Sequence, residues 1–165
     1  MKKLIIIIFT ICLLIVIALY FLSYRDLKGV FSIDKNFRST TKYIIVHHDA
    51  INRDCTVDEI NDFHRDSCGY SCGFAYPLYI KGGKVYQVHD LNAKTAHTEG
   101  LNNQAVAVCV HTADKKDLKT QILLVVTIRF LMWYYDIPKE NVRGHCDFND
   151  TKCPEMDLKK LREWL

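Results

Sequence analysis

From Leu4 to Ser23 the chain reads LIIIIFTICLLIVIALYFLS, twenty residues without a charge. As a helix, that run is long enough to cross a hydrocarbon core of about 30 Å. A cleavable leader has a shorter apolar core followed by a small-x-small site, whereas this run ends in Leu-Tyr-Phe-Leu-Ser-Tyr. Residues 1–23 are therefore read as an uncleaved signal-anchor, one N-terminal transmembrane helix. Lys2 and Lys3 favour a cytoplasmic N-terminus, although Arg25 and Lys28 on the other flank dilute the bias. A single-pass, N-in and C-out topology places the remainder outside the cytoplasm, periplasmic or wall-facing.

The remainder has the size of one ordinary domain. Lys2 and Lys3 belong to the anchor flank, so the other basic residues nearly balance the 19 acidic ones. No basic stripe is present, which argues against nucleic acid as a partner. Seven cysteines, Cys12, Cys55, Cys68, Cys72, Cys109, Cys146 and Cys153, do not resolve into an all-disulfide framework. Cys68 and Cys72 would close a small loop in an oxidising space, and Cys109, inside an apolar run, is read as a small core residue.

Residues 24–42 are mixed and polar and read as a stalk with a lead-in loop; the domain proper is placed at 43–165. Tyr43-Ile-Ile-Val46 is β-branched and short, a buried strand running into His47. Thr56-Val-Asp-Glu59 is a capping box opening a helix near 57–66. Gly82-Gly83 between Tyr76–Ile80 and Lys84–Val88 is a hairpin signal. Ala105–Val110 is continuously apolar, as suits a central strand covered on both faces. Leu118–Tyr135 is a core helix stopped before Pro138, with the Trp133-Tyr134-Tyr135 cluster expected inside. Asn141–Arg143 is a last short strand, and Asp157 caps a final amphipathic helix. The fold class is α/β: a single domain with a mixed central β-sheet flanked by helices.

Two segments carry metal-capable residues at strand ends, Val46-His47-His48-Asp49 and Gly144-His145-Cys146-Asp147, the latter followed by Thr151-Lys152-Cys153-Pro154. Three protein donors with nitrogen and thiolate character, leaving a fourth position open, are what a catalytic zinc requires. On this chemistry alone the alternative stands: a sheet-edge histidine and a buried thiol without metal. His64 reads as a packing histidine, and His89 and His111 as surface or structural residues.

The segments YIIVHHDA, GFAYPLYIKGGKVYQVHD, TAHTEGLNNQAVAVCV and RGHCDFNDTKCP, in that order, resemble the type 2 N-acetylmuramoyl-L-alanine amidases. That family takes in small phage lysozyme-amidases and animal peptidoglycan recognition proteins. The resemblance covers residues 43 to 164. It implies zinc (Zn2+) as cofactor, held by His47, His145 and Cys153, with Tyr76 and Thr151 as catalytic side chains. It further implies His97 and Asn102 as substrate-groove residues. Apart from the resemblance, His48 is read as supporting the metal shell or bonding backbone, and Asp147 as orienting His145 or capping the turn. The departures are Pro77, and Ala105-Val-Ala where Ser-Ile-Gly is usual.

The expected function is hydrolysis of the amide between N-acetylmuramic acid and L-alanine, by a monomer acting on peptidoglycan or muropeptides. The alternative is a membrane-anchored peptidoglycan-binding receptor without hydrolysis. A redox or structural-zinc protein built on Cys68 and Cys72 leaves the Tyr76 and His97 segments unexplained. A phage enzyme held until release is a possible origin, but the Ile- and Leu-packed anchor favours permanent tethering.

Overall fold

A computed structural model describes residues 2–28, 36–70 and 73–165. Cys72, and with it the expected Cys68–Cys72 loop, lies outside them. Helix α1 (Lys2–Ser23) is long and apolar enough to cross a membrane, with mean hydropathy 3.3 over Ile5–Ser23. It runs directly into a strand, β1 (Tyr24–Asp26), within the segment expected as stalk. Farther along that segment Phe37 bridges Ala93, and the Arg38 guanidinium donates to the carbonyls of Leu91 and Ala93 at 2.5 and 2.6 Å.

The remaining strands are β2 (Tyr43–His48), β3 (Leu78–Lys81), β4 (Lys84–Gln87), β5 (Ala105–Val110) and β6 (Val142–Gly144). They form one mixed sheet of order β1-β4-β3-β5-β2-β6, in which only β3 and β4 pair antiparallel. Gly82 and Gly83, at φ 56° and 63°, supply the two positive φ values that a two-residue hairpin turn between β3 and β4 demands. The central strand β5 is buried at all six positions, as its uninterrupted apolar sequence requires.

Alternation along the strands sorts side chains onto two unlike faces. Ile44, Val46, Leu78, Ile80, Val106, Val108 and Val110 share one face. Helix α3 (Leu118–Tyr135) covers it with Leu124, Ile128 and Leu131, and α4 (Leu158–Glu163) adds Leu161. Asp117 caps α3 at its start by accepting from Thr120 N–H at 2.8 Å, and Asp136 ends it in the left-handed conformation. Asp157 likewise caps α4.

The other face carries Tyr79, Cys109 and His47, aligned across three strands by register. Over it lie α2 (Val57–Asp62), started by the Thr56/Glu59 capping box, and a π-helical turn through Phe63–Ser67. One expectation is corrected here. Trp133 and Tyr134 are not core residues but are 78% and 48% exposed. Helical periodicity sends Ile128 and Leu131 inward and turns Trp133 to the outside.

Candidate functional site

His47 and Cys153 come from opposite ends of the domain sequence and meet because β2 and β6 are sheet neighbours. Strand β6 delivers His145 at its C-terminal end, and the following loop returns through the bond from Cys146 N–H to Cys153 C=O at 2.8 Å. One donor atom from each of His47, His145 and Cys153 lies within 4.8 Å of the others. His47 Nδ1 is 3.7 Å from the Cys153 sulfur, and the two imidazole centroids are 4.6 Å apart.

Hydrogen-bond logic fixes which nitrogen each histidine offers. His97 Nε2 sits 3.2 Å from the Ala105 carbonyl, which can only accept, so this nitrogen carries the proton. His97 is held neutral by burial, which pulls its pKa down to about 3, so Nδ1 is an acceptor and takes the Thr98 hydroxyl at 2.9 Å. The Thr98 oxygen is then left to accept from His47 Nε2–H at 3.2 Å. His47, whose pKa burial and then its neighbours His97, His145 and His48 force well below the ordinary histidine value, therefore presents an unprotonated Nδ1 toward Cys153. His145 is arranged alike: Nε2 donates to Asn149 Oδ1 at 3.1 Å, leaving Nδ1 free. Metal-bound histidines ordinarily have their second nitrogen engaged in this way.

His48 points the opposite way along the strand. Its Nδ1 accepts from Ala50 N–H at 2.8 Å and lies 3.2 Å from the Thr112 hydroxyl. Its contribution to the donor set is its backbone N–H, 3.3 Å from the Cys153 sulfur. Burial raises the Cys153 thiol to about 11, and this N–H pulls it back. A buried thiol with one N–H donor, facing two imidazole lone pairs, has no positive partner among them; a dication would supply one and deprotonate it. Two nitrogens and one sulfur also suit zinc. The residues present fit that ion.

The other expected residues fall into two groups. The Tyr76 ring lies against His47, centroid to centroid 5.1 Å. Burial, with Cys109 and Cys153 close by, raises its pKa well above the ordinary phenol value, so it stays an O–H donor. Thr151 accepts from the Cys153 backbone N–H at 3.2 Å, which fixes its hydroxyl on the Cys153 loop. His97 and Asn102, expected in the substrate groove, brace the loop beneath His47. His97 is 5% exposed, and Asn102 Oδ1 accepts from the N–H groups of His97 and Thr98 at 3.0 and 2.8 Å. Asp147 accepts from Gly144 N–H at 3.1 Å and caps its own turn; the support of His145 comes from Asn149.

Sequence reasoning missed Thr98 and Asn149, which no motif marks, and also the role of Asp49. Its buried carboxylate accepts from Tyr79 O–H and Thr112 N–H and O–H at 2.6, 2.9 and 2.8 Å and pairs with His111 Nδ1 at 2.6 Å. Burial alone would raise its pKa, but the hydrogen bonds, that of His111 first, hold it below the ordinary carboxylate value. This knot ties the ends of β2 and β5 together just past His47. His64, the packing histidine, lies among Tyr70, Phe74 and Tyr76, and burial lowers it to about 4.

The N-acetylmuramoyl-L-alanine amidase family model matches residues 37–156. No curated protein matches the chain in sequence. Among solved structures, the amidase LysC of Clostridium intestinale URNW superposes with TM-score 0.73 at 21% identity, covering 85% of this chain and 95% of that one. The endolysin of the Thermus scotoductus bacteriophage Ph2119 does so with TM-score 0.69 at 20% identity, covering 85% and 98%. A point mutant of Drosophila PGRP-LB in complex with tracheal cytotoxin gives TM-score 0.66 at 20% identity, covering 79% and 87%.

Proposed function

Because the chain belongs to the N-acetylmuramoyl-L-alanine amidase family, we propose that it is a zinc-dependent hydrolase cleaving the amide between N-acetylmuramic acid and L-alanine of the peptidoglycan stem. The observation carrying this reading is the convergence of His47, His145 and Cys153, with both imidazoles locked in the tautomer that offers Nδ1. Zinc bound by these three supplies Lewis acidity, polarising a carbonyl and activating water near neutral pH.

The chain's own residues do the rest. Thr98 and Asn149 hold the two imidazoles in orientation, and the His48 N–H stabilises negative charge on the Cys153 sulfur. Tyr76, protonated across the physiological range, donates its O–H to the oxygen that becomes negative as the amide carbonyl is attacked. Thr151, held at Cys153, is the second hydroxyl on that side of the site. Its neutral hydroxyl can relay a proton toward the departing amine of L-alanine but cannot act as a charged acid.

Helix α1 anchors the protein to a membrane, with the catalytic domain on the extracytoplasmic side and acting as a monomer. The anchor comprises residues 1–23, and the catalytic unit extends over 43–165, with β1 joined to its sheet. A second reading is a membrane-anchored receptor that binds peptidoglycan without cutting it; the fold neighbour holding tracheal cytotoxin supports it. The test is to purify the full chain in detergent, measure bound zinc, and incubate it with muropeptides. Free stem peptide beginning with L-alanine is the expected product. Stoichiometric zinc with no product would favour the receptor, and absence of both would refute the hydrolase.

A further inference from the structure

The backbone N–H of His48 points at the Cys153 sulfur from 3.3 Å, and the chain leaves the sheet immediately after it. Ala50 then takes φ 59°, the left-handed region that a residue with a Cβ enters at a cost of about 1–3 kcal/mol. The same region recurs at Glu155, φ 54°, two residues past Cys153. Strain of this kind persists only where the surroundings hold the backbone in place.

Asp49 does the holding at the first of these turns. Its side chain is 1% exposed, and both of its oxygens are engaged. Oδ1 accepts from the N–H groups of Ile51 and Thr112 at 3.0 and 2.9 Å and from the Thr112 hydroxyl at 2.8 Å. Oδ2 accepts from Tyr79 O–H at 2.6 Å and meets His111 Nδ1 at 2.6 Å. The His48 imidazole closes the turn, accepting from Ala50 N–H at 2.8 Å with the Thr112 hydroxyl 3.2 Å away. Residues 48–51 are thus tied to β3 and to the end of β5 through the buried side chains of Tyr79, His111 and Thr112. No step of the proposed hydrolysis uses these bonds. Apolar residues would hold two strand ends together with less desolvation than a buried carboxylate. What they cannot do is fix the direction of a peptide group, and the residue fixed here follows the one whose N–H faces the sulfur.

We propose that Asp49 is a positioning residue for the metal thiolate: by clamping residues 48–51 onto Tyr79, His111 and Thr112, it keeps the His48 N–H on the Cys153 sulfur. This rests on the reading of His47, His145 and Cys153 as a zinc site. A thiolate that accepts an N–H bond carries its charge at lower energy and stays oriented toward the metal. The clamp acts through geometry. Oδ1 carries the bonds to Ile51 and Thr112 that fix the turn, and the oxygen of an amide could accept all of them.

Cobalt(II) in place of zinc makes the bond from Cys153 visible as a near-ultraviolet sulfur-to-metal charge-transfer band. In the full chain in detergent, Asp49→Ala should shift this band to longer wavelength, because a sulfur without its N–H donor holds its electrons less tightly. It should also weaken zinc binding by about 10–100-fold in a competition titration. Asp49→Asn, which keeps the Oδ1 acceptor, should return both close to wild type. Ile128→Ala, which loosens the opposite face of the sheet, should leave the band in place. Should Asp49→Ala fail to fold, Thr112→Val carries the test, with a smaller shift in the same direction. A folded Asp49→Ala or Thr112→Val protein with the wild-type band and zinc affinity would overturn the clamp and leave the zinc site intact. Asp49→Asn as impaired as Asp49→Ala, or an equal shift in Ile128→Ala, would also overturn it, the first by assigning the effect to charge and the second to general loosening. A wild-type cobalt protein without the charge-transfer band would overturn the zinc site itself, and the clamp with it.

Discussion

The two faces of the sheet are made by the same strands and solve opposite problems. Under α3 the side chains are mainly aliphatic: Ile44, Val46, Val106, Val108 and Val110 meet Leu124, Ile128 and Leu131, with the hydroxyls of Thr120 and Thr127 buried on the helix beside them. On the other face the same strands present His47, Asp49, Tyr79, Cys109 and His111, each buried against a specific partner or next to one. The first face gains its free energy from area and tolerates repacking. The second depends on directed bonds, where removing one partner strands another in a low-dielectric site. Stability is therefore concentrated on the α3 side and chemistry on the His47 side, and substitutions should separate the two.

The sharpest separation comes from Cys153→Ala. Assayed by muropeptide cleavage and bound-metal analysis, it should abolish activity and zinc retention while leaving the α3 face folded. Retention of full activity would break the division. Next is Tyr76→Phe, which removes one donor and should lower turnover by about 10²–10³ with zinc content unchanged. On the opposite face Ile128→Ala should lower unfolding stability in denaturant by about 2–5 kcal/mol, yet leave zinc stoichiometry at the wild-type level in the folded fraction. Thr98→Val, which breaks the hydroxyl link between His97 and His47 without losing volume, should weaken zinc binding by about 10–100-fold in a competition titration.

The smallest effect concerns pH. The unfolded chain protonates His64 near pH 6.5, whereas the folded one resists until about 4, because burial among Tyr70, Phe74 and Tyr76 disfavours the charged form. Its contribution is thus fully present above about pH 6.5 and is lost as pH falls toward 4. His64→Phe should flatten that part of the stability–pH curve measured by denaturant unfolding.

Much of the fold is readable where local chemistry agrees with the tertiary structure. The Thr56/Glu59 box, the Gly82-Gly83 turn and Pro138 just beyond α3 are local signals, and the structure places elements accordingly. Strand β1 is different. Tyr24–Asp26 has no periodic pattern and becomes a strand only because β4 offers an open edge. The aliphatic run of α3 gave no inside or outside to read, since apolar residues occupy nearly its whole circumference. Which side faced outward was settled by packing, and Trp133 fell on the outside.

At the candidate site, residue types at strand ends raised a metal site only as one alternative, and the family resemblance was needed to choose His47, His145 and Cys153. The supports were not legible, because they depend on loop geometry. For Asp147 two roles were open, orienting His145 or capping the turn, and the 3₁₀ turn from His145 to Asp147 folds that carboxylate back onto Gly144 N–H. Asn149, four residues beyond His145, is thereby left to reach the imidazole. His97 and Asn102 share a loop whose backbone N–H groups needed an acceptor, and Asn102 serves it internally.

X-ray absorption at the zinc edge of the zinc-loaded full chain reaches the claim behind all of this, that His47, His145 and Cys153 hold one metal ion between them. The expected spectrum is a four-coordinate shell with a single sulfur at about 2.3 Å and light donors at about 2.0–2.1 Å, the sulfur disappearing in Cys153→Ala. A shell without sulfur in the wild-type protein, or one with two sulfurs, would contradict it.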